Sequence, residues 1–360
     1  MKENLNGTNL ALYRKYRPKN FKDVLGQDHI IDVLESSVLA EKVSHAYLFV
    51  GSRGTGKTSV ARIFAKEIGV GENDLYEIDA ASNRGIDDIR ELRDGVRVLP
   101  FDSKYKVYVI DEVHMLTKEA WAALLKTLEE PPKHVIFILA TTELQKVPET
   151  IISRCQVFTF KKATDLILKK MILDISKKEG YELDNSSAEL LAILGDGSFR
   201  DTQGILQKVL NFSKNKKIKR EDIEKITGAP KTTLVNNFIF AITSNKIEDG
   251  IKTIRNASED NLDMKLFLKL IIQKFRIAII LKYAPKLEKE ISHDLSIEDF
   301  NFLKEIVKED MSVNVKIAKS GMINSTTLAH LLESYQNIDK AFISELPLEL
   351  ALIKVLSVEK

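Results

Sequence analysis

The run Gly51, Ser52, Arg53, Gly54, Thr55, Gly56, Lys57, Thr58, continued by Ser59, limits what this chain can fold into more than any other feature. It fits the spacing G-x-x-x-x-G-K-[ST], follows the apolar run His45–Val50 and precedes a helical pattern over Ser59–Ile68, which is the strand–loop–helix setting a phosphate loop needs. Glycines let the backbone curl around a phosphate without a Cβ clash. Successive N–H groups and a helix N-terminus supply positive potential there. Lys57 can reach the β- and γ-phosphates and the Thr58 hydroxyl can ligate Mg²⁺, so ATP with Mg²⁺ is the expected ligand.

Four further runs rich in Val, Ile, Tyr and Phe are expected strands: Asp74–Ala80, Lys106–Asp111, His134–Ala140 and Gln156–Phe160. Helix-length stretches separate most of them, which predicts an α/β domain with a parallel sheet covered on both faces. The third strand ends in Asp111 and Glu112, at the end of a parallel sheet where ligands bind. Asp111 is the expected Mg²⁺ partner, and Glu112 is placed to orient and polarise an attacking water. His114 reads as structural rather than catalytic.

Beyond Lys161 the strand signals stop. Residues 164–180, 186–195, 200–213 and 220–227 read as short helices, with Ser186 and Ser187 as N-cap positions and Gly180 and Gly195 as stops. Gly228–Pro230 punctuates the chain, and longer helical patterns follow. Boundaries are expected near 163 and 230, giving domains 1–163, 164–230 and 231–360. Leu266–Leu281 is the most apolar stretch, but Lys269, Gln273, Lys274 and Arg276 interrupt it and it falls short of the roughly 20 residues of a membrane span. It reads as a buried helix, and no membrane partner is expected. Leu266, Phe267, Leu270, Ile271, Phe275, Ile279 and Ile280 could serve either a core or an interface.

Lys+Arg 54 against Asp+Glu 52 exclude a globally basic, histone-like protein and an acidic disordered chain. A single cysteine, Cys155, excludes an internal disulfide and a Cys₄ zinc site. With no apolar signal core in the first ten residues, a cytoplasmic setting is expected. The lysine-rich stretch Ser213–Arg220 reads as a solvated loop, and Trp121 as packing.

Tyr16–Gln27, the phosphate loop, Ile78–Gly85, Ile110–Pro132, Ile138–Glu143 and Ile152–Phe160 occur in an order that resembles the gamma/tau subunits of the bacterial DNA polymerase III clamp loader, a family of AAA+ ATPases. The segments LLKTLEEPP and SRC carry the resemblance most specifically. It implies an AAA+ nucleotide-binding domain, a helical lid and an all-α collar through which homo- or hetero-oligomers form. It also implies ATP hydrolysis within the polymerase holoenzyme, without polymerase chemistry in this chain, and clamp opening and loading onto primed DNA. The implied partners are the sliding clamp, delta-like and delta-prime-like subunits, and primed DNA. Position by position, Thr142 corresponds to the first sensor of the γ-phosphate, Arg200 to the second, reaching in from the lid, and Arg154 to an arginine finger acting on a neighbouring subunit's ATP. Tyr13, Arg17 and Leu25 fall in the segment that wraps the adenine side. The four-cysteine zinc module of most bacterial members is absent from Ala65–Leu75, so no zinc is expected, and in this respect the chain is similar to replication factor C small subunits. Two other functions stay open at this level: another DNA-remodelling AAA+ machine such as a branch-migration motor, and a structural subunit with weak ATPase activity.

The helix after Ile78–Gly85 carries two stripes. Ile86, Ile89, Leu92 and Val96 form an apolar one; Arg90, Arg93 and Arg97 form a basic one, with Asn83 and Arg84 just before the helix. Asn83, Arg84, Arg90, Arg93 and Arg97 are therefore candidates for contact with DNA phosphates. An ordinary amphipathic helix shows the same pattern, with Glu91 and Asp94 available to pair with the arginines.

Overall fold

The computed structural model describes residues 10–83, 85–213, 215–317 and 322–357. The chain forms two compact units, Met1–Ile175 with Gly195–Gln207, and Ser176–Leu194 with Lys208–Lys360.

The first unit begins with α1 (Leu12–Lys15) and α2 (Asp28–Leu39). It continues through β1 (Ala46–Val50), α3 (Lys57–Glu67), β2 (Leu75–Asp79), α4 (Ile86–Val96), β3 (Lys106–Asp111), α5 (Lys118–Glu129), β4 (Val135–Thr141), α6 (Glu149–Ile152) and β5 (Gln156–Thr159). The five strands form one parallel sheet in the order β2-β3-β4-β1-β5. All residues of β1 and β4 are buried, because central parallel strands are covered on both faces. Alternation along the strands feeds two cores. Leu48, Ile110, Phe137 and Leu139 pack with Leu92 of α4 and Leu124 of α5. Phe49, Val109, Ile136 and Ile138 pack with Ile30 of α2 and Phe64 of α3. The chain steps from β1 to the far edge at β2, and the carboxyl ends of β1, β3 and β4 lie on the side where such sheets bind ligands.

Helices follow: α7 (Asp165–Lys178), α8 (Asn185–Gly195), α9 (Phe199–Phe212) and α10 (Arg220–Thr227). Two short strands were not anticipated. β6 (Glu182–Leu183) and β7 (Lys217–Ile218) pair in parallel, so the lysine-rich stretch is not wholly a solvated loop. Ile218 is buried there. Two residues give too little alternation to be read as a strand. Capping also differs from expectation: Ser186 and Ser187 lie inside the first turn of α8, and Asp184 caps it by accepting from Ser187 N–H at 2.7 Å and Ser186 Oγ at 3.0 Å.

The rest of the second unit is helical: α11 (Thr232–Thr243), α12 (Ile247–Glu259), α13 (Met264–Tyr283), α14 (Glu288–Asp294), α15 (Ile297–Ile317), α16 (Ser325–Asn337) and α17 (Leu346–Ser357). α13 is its central helix. Phe267, Leu270, Ile271 and Phe275 are core, while Leu266, Ile279 and Ile280 are only half-buried, which divides the apolar set that sequence left together. Among the described residues no helix is long and apolar enough to cross a membrane.

Candidate nucleotide-binding and hydrolysis site

The phosphate loop leaves the sheet between β4 and β5, where Gly51 N–H donates to Thr141 O at 3.1 Å. Gly54 has φ +74°, and a Cβ there would fall 2.0 Å from Ser198 Oγ; Gly56, φ +103°, is the residue from which α3 starts. Both need the left-handed region that glycine enters without cost. Thr55 Oγ1 donates to Ser52 O across the loop at 2.9 Å, Arg53 is exposed at its tip, and Ser59 lies in the first turn of α3. Lys57 is buried, with Nζ donating to Gly51 O at 2.8 Å and Ser52 O at 3.1 Å. Burial pulls its pKa below the usual lysine value, while Glu112 and Asp111 pull it back up.

β3 delivers Asp111 to the same place. Thr58 Oγ1 donates to Asp111 Oδ2 at 2.7 Å. A hydroxyl and a carboxylate side by side are the hard oxygen donors Mg²⁺ takes when it enters with a nucleotide, so these residues fit the ion. Glu112 follows in left-handed backbone geometry, φ 49° and ψ 43°, a conformation costly for a non-glycine residue. Its N–H donates to Asp111 Oδ1 at 3.0 Å, and Thr142 Oγ1, just past β4, donates to Glu112 Oε2 at 3.1 Å. The strand ends thus bring Lys57, Thr58, Asp111, Glu112 and Thr142 together.

The N-terminal segment and α9 border the loop. Phe199 N–H donates to Gly54 O at 3.0 Å, which seats the start of α9 on the phosphate loop. The Arg200 guanidinium then lies 5.0 Å from the Tyr13 ring centroid. Arg14 and, more weakly, Arg200 lower the Tyr13 hydroxyl pKa. Burial, then the neighbouring charge of Arg62, hold Arg17 below its ordinary value. Leu25 is 43% exposed. Gln27, which sequence reasoning missed, is wholly buried. Its carboxamide donates to Lys161 O at 2.8 Å, accepts from Lys161 N–H at 3.2 Å, and reaches Thr55 O at 3.5 Å. A single buried glutamine has no periodic signature that would reveal it.

Arg154 follows α6 and makes its contacts away from the phosphate loop: NH1 donates to Thr150 O at 2.7 Å and NH2 pairs with Glu129 at 2.8 Å. On α4, Ile89, Leu92 and Val96 are buried, as the apolar stripe requires. Arg90 and Arg97 are exposed and Arg93 half-buried. Arg90 pairs with Asp87 at 3.0 Å and Arg93 with Asp94 at 3.3 Å, and Asn83 Nδ2 donates to Asp79 O at 3.1 Å. Arg84 lies outside the described residues.

The sheet order, the phosphate loop after β1 and the acid pair after β3 define an AAA+ P-loop fold. In agreement, the Holliday junction branch migration motor RuvB of Thermotoga maritima superposes with a TM-score of 0.51 over 63% of this chain and 79% of its own, at 21% identity, a likeness of fold alone. The family described as DNA polymerase III, delta subunit matches residues 72–164. DNA polymerase III subunit tau of Bacillus subtilis is 42% identical over 82% of this chain and 56% of its own length. DNA polymerase III subunit gamma/tau of Mycoplasma genitalium is 38% identical over 82% and 53%. DNA polymerase III subunit gamma of Buchnera aphidicola is 33% identical over 77% of this chain and 80% of its own length. The chain belongs to the gamma/tau subunit family of DNA polymerase III. It spans about half the length of the first two of these relatives.

Proposed function

We propose that this chain is an ATP-hydrolysing subunit of a replicative clamp loader, acting in the cytoplasm with delta-like and delta-prime-like subunits to place a sliding clamp on primed DNA. The observation that carries the reading is the convergence of Lys57, Thr58, Asp111, Glu112 and Thr142 at adjoining strand ends, in a member of the gamma/tau family. Lys57 exchanges two loop carbonyls for phosphate oxygens when ATP binds. Thr58 and Asp111 would hold Mg²⁺, which would neutralise charge at those oxygens. Glu112 accepts the proton of the attacking water. Thr142 and Arg200 sense the phosphates, and Tyr13, Arg17 and Leu25 receive the base. Arg154 of one subunit completes the site of the next, in keeping with its contacts outside its own phosphate loop.

Two exposed apolar features fit the partners this reading requires. Val98, Leu99 and Phe101 are 61%, 72% and 78% exposed on the segment after α4 and suit the sliding clamp. Leu346, Leu350 and Ile353 stand one and two turns apart on α17, each at least 40% exposed, and suit assembly through a collar at residues 231–360. Lid boundaries at 164 and 230 complete the three-domain reading. Asn83, Arg84, Arg90, Arg93 and Arg97 belong to the DNA-facing side.

The test is ATP-dependent loading of the cognate clamp onto primed circular DNA by this chain with its partner subunits. Loading by the parent and none by Lys57→Ala is the expected result. ATP hydrolysis stimulated by DNA without any loading would replace the clamp loader by another DNA-remodelling machine.

A further inference from the structure

His114 read from sequence as a structural residue, yet its surroundings are those of a working one. It sits on the short turn Val113–Met115, directly after Glu112, with only 7% of its side chain exposed. Nδ1 lies 3.4 Å from Glu112 Oε2 and 3.1 Å from Thr141 Oγ1, and Nε2 lies 3.3 Å from Glu143 Oε1. The imidazole therefore stands between two carboxylates. Thr141 Oγ1 in turn accepts from Glu143 N–H at 3.0 Å, and Lys146 holds Glu143 from outside at 2.9 Å. The Glu112 carboxylate is gripped on one side only. Thr142 Oγ1 donates to Oε2, and His114 Nδ1, whose hydrogen bond goes to Thr141 Oγ1, lies 3.4 Å from the same oxygen, while Oε1 makes no hydrogen bond among the described residues.

We propose that His114 is a positioning residue for Glu112, bridging it to Glu143 so that one carboxylate oxygen is fixed and the other is presented to the attacking water. This rests on the role given to Glu112 above. A glutamate side chain has three rotatable torsions and, exposed at a strand end, would sample many rotamers; two contacts on Oε2 select one. The left-handed turn at Glu112 brings the imidazole two residues further on to within 3.4 Å of its carboxylate, which gives the costly backbone a purpose. The bridge also joins Glu112 to residues 141–143, the segment that carries the γ-phosphate sensor, so a shift of that strand end on nucleotide binding reaches Glu112 by two routes. A displacement of about 1 Å in a reacting group can cost on the order of 100-fold in rate, so the arrangement matters for turnover and not for affinity.

The experiment is steady-state ATP hydrolysis by the assembled, DNA-stimulated complex, with affinity for the unhydrolysed analogue AMP-PNP measured in parallel. His114→Ala is expected to lower kcat by roughly 10- to 100-fold while KM and AMP-PNP affinity stay within about twofold. Glu143→Gln, on a partly exposed side chain, lowers kcat by a smaller factor. The double variant is no slower than His114→Ala, because both substitutions cut the same bridge. His114→Gln, which keeps a polar group beside Glu112, recovers part of the rate. Strictly additive losses, a raised KM with kcat unchanged, or parental kcat in either single variant would overturn the proposal. Should His114→Ala fail to fold, Glu143→Gln decides alone. Glu112→Gln separates this idea from its premise. Parental turnover there removes the role of Glu112 itself, whereas loss of turnover there with full activity in His114→Ala removes only the bridge.

Discussion

Two lysines, one in each unit, are buried to nearly the same degree: Lys57 is 5% exposed and Lys274 is 7% exposed. Burial lowers the pKa of both. Their partners differ. Lys274 on α13 pairs with Asp299 on α15 and donates to Asn236 on α11 at 2.8 Å, with Arg220 of α10 4.0 Å from the same aspartate. Further along the same two helices Lys282 pairs with Asp310 at 2.7 Å and donates to Ile323 O at 2.8 Å. Lys57 makes no ion pair among the described residues; it leans on two neutral carbonyls of its own loop. The Lys274 arrangement is architecture, whereas Lys57, held by neutral groups inside the phosphate loop, is placed to meet an anion that arrives from outside.

The widest separation between these two kinds of charge is expected at Arg154, a surface cation that we propose meets another subunit's phosphates. Arg154→Ala should lower ATP hydrolysis by the assembled complex by about 10³ to 10⁵, the range of arginine fingers in related NTPases. Nucleotide affinity of the isolated chain should not move. Equal turnover in the complex would assign Arg154 to its local pairing with Glu129 and nothing more.

Next in size is the closed pair. Asp299→Ala should destabilise the protein by about 3–5 kcal/mol, since it strands Lys274 in an apolar interior, while Lys274→Met with Asp299→Leu together should be close to neutral. Denaturant unfolding without nucleotide reads both. For Lys57→Met the sensitive quantity is different: the stabilisation the parent gains from ATP, about 2.7 kcal/mol at 100 times Kd, should vanish. If Lys57→Met behaved like Asp299→Ala, the contrast between the two lysines would collapse.

These distinctions were unevenly legible in the sequence. The phosphate loop, the acid pair and all five strands of the sheet could be read from local spacing, because short apolar runs and glycine spacing are local physics. The two buried ion pairs could not, since Lys274 and Asp299 lie on different helices and each reads alone as an interruption of an apolar face. Gln27 and His114 were illegible for the same reason: their partners at Lys161 and Glu143 are brought near only by the sheet. Asp184 was passed over for two serines that stand two and three residues too late.

Asp74 is a third kind of buried charge, a carboxylate satisfied by backbone. It accepts from the N–H groups of Phe101 at 2.6 Å, Asp102 at 3.0 Å and Ser103 at 2.9 Å, and so fixes the segment that exposes Leu99 and Phe101. Burial works to raise its pKa, but these donors outweigh it and hold the carboxyl at about 2. The folded value lies below the unfolded one, so the stabilisation is complete above the ordinary carboxylate range and is lost as pH falls from roughly 4 towards 2. Amide exchange at Phe101–Ser103 should therefore lose protection over that window ahead of the β-sheet core. Asp74→Ala should cost about 2–3 kcal/mol at neutral pH. Protection that persists below pH 2 would show the segment to be held by something other than this carboxylate.

The smallest expected effect is also the one that tests the basic stripe of α4 against its bland alternative. Arg93 pairs with Asp94 only one residue away, at 3.3 Å and with both side chains at least 40% exposed, a pairing worth well under about 1 kcal/mol in water. A phosphate is a stronger partner than that and would take the guanidinium from Asp94 at little cost. If Arg93 meets duplex DNA in the assembled complex, each phosphate contact releases condensed counterions, and Arg93→Ala should reduce the slope of log K against log salt by about 0.9. Arg90, paired with Asp87 on the exposed face of the same helix, should behave alike, and the two losses should add if each touches its own phosphate. An unchanged slope with unchanged stability would leave both arginines as the solvated face of an amphipathic helix, whose Ile89, Leu92 and Val96 already account for its place against the sheet.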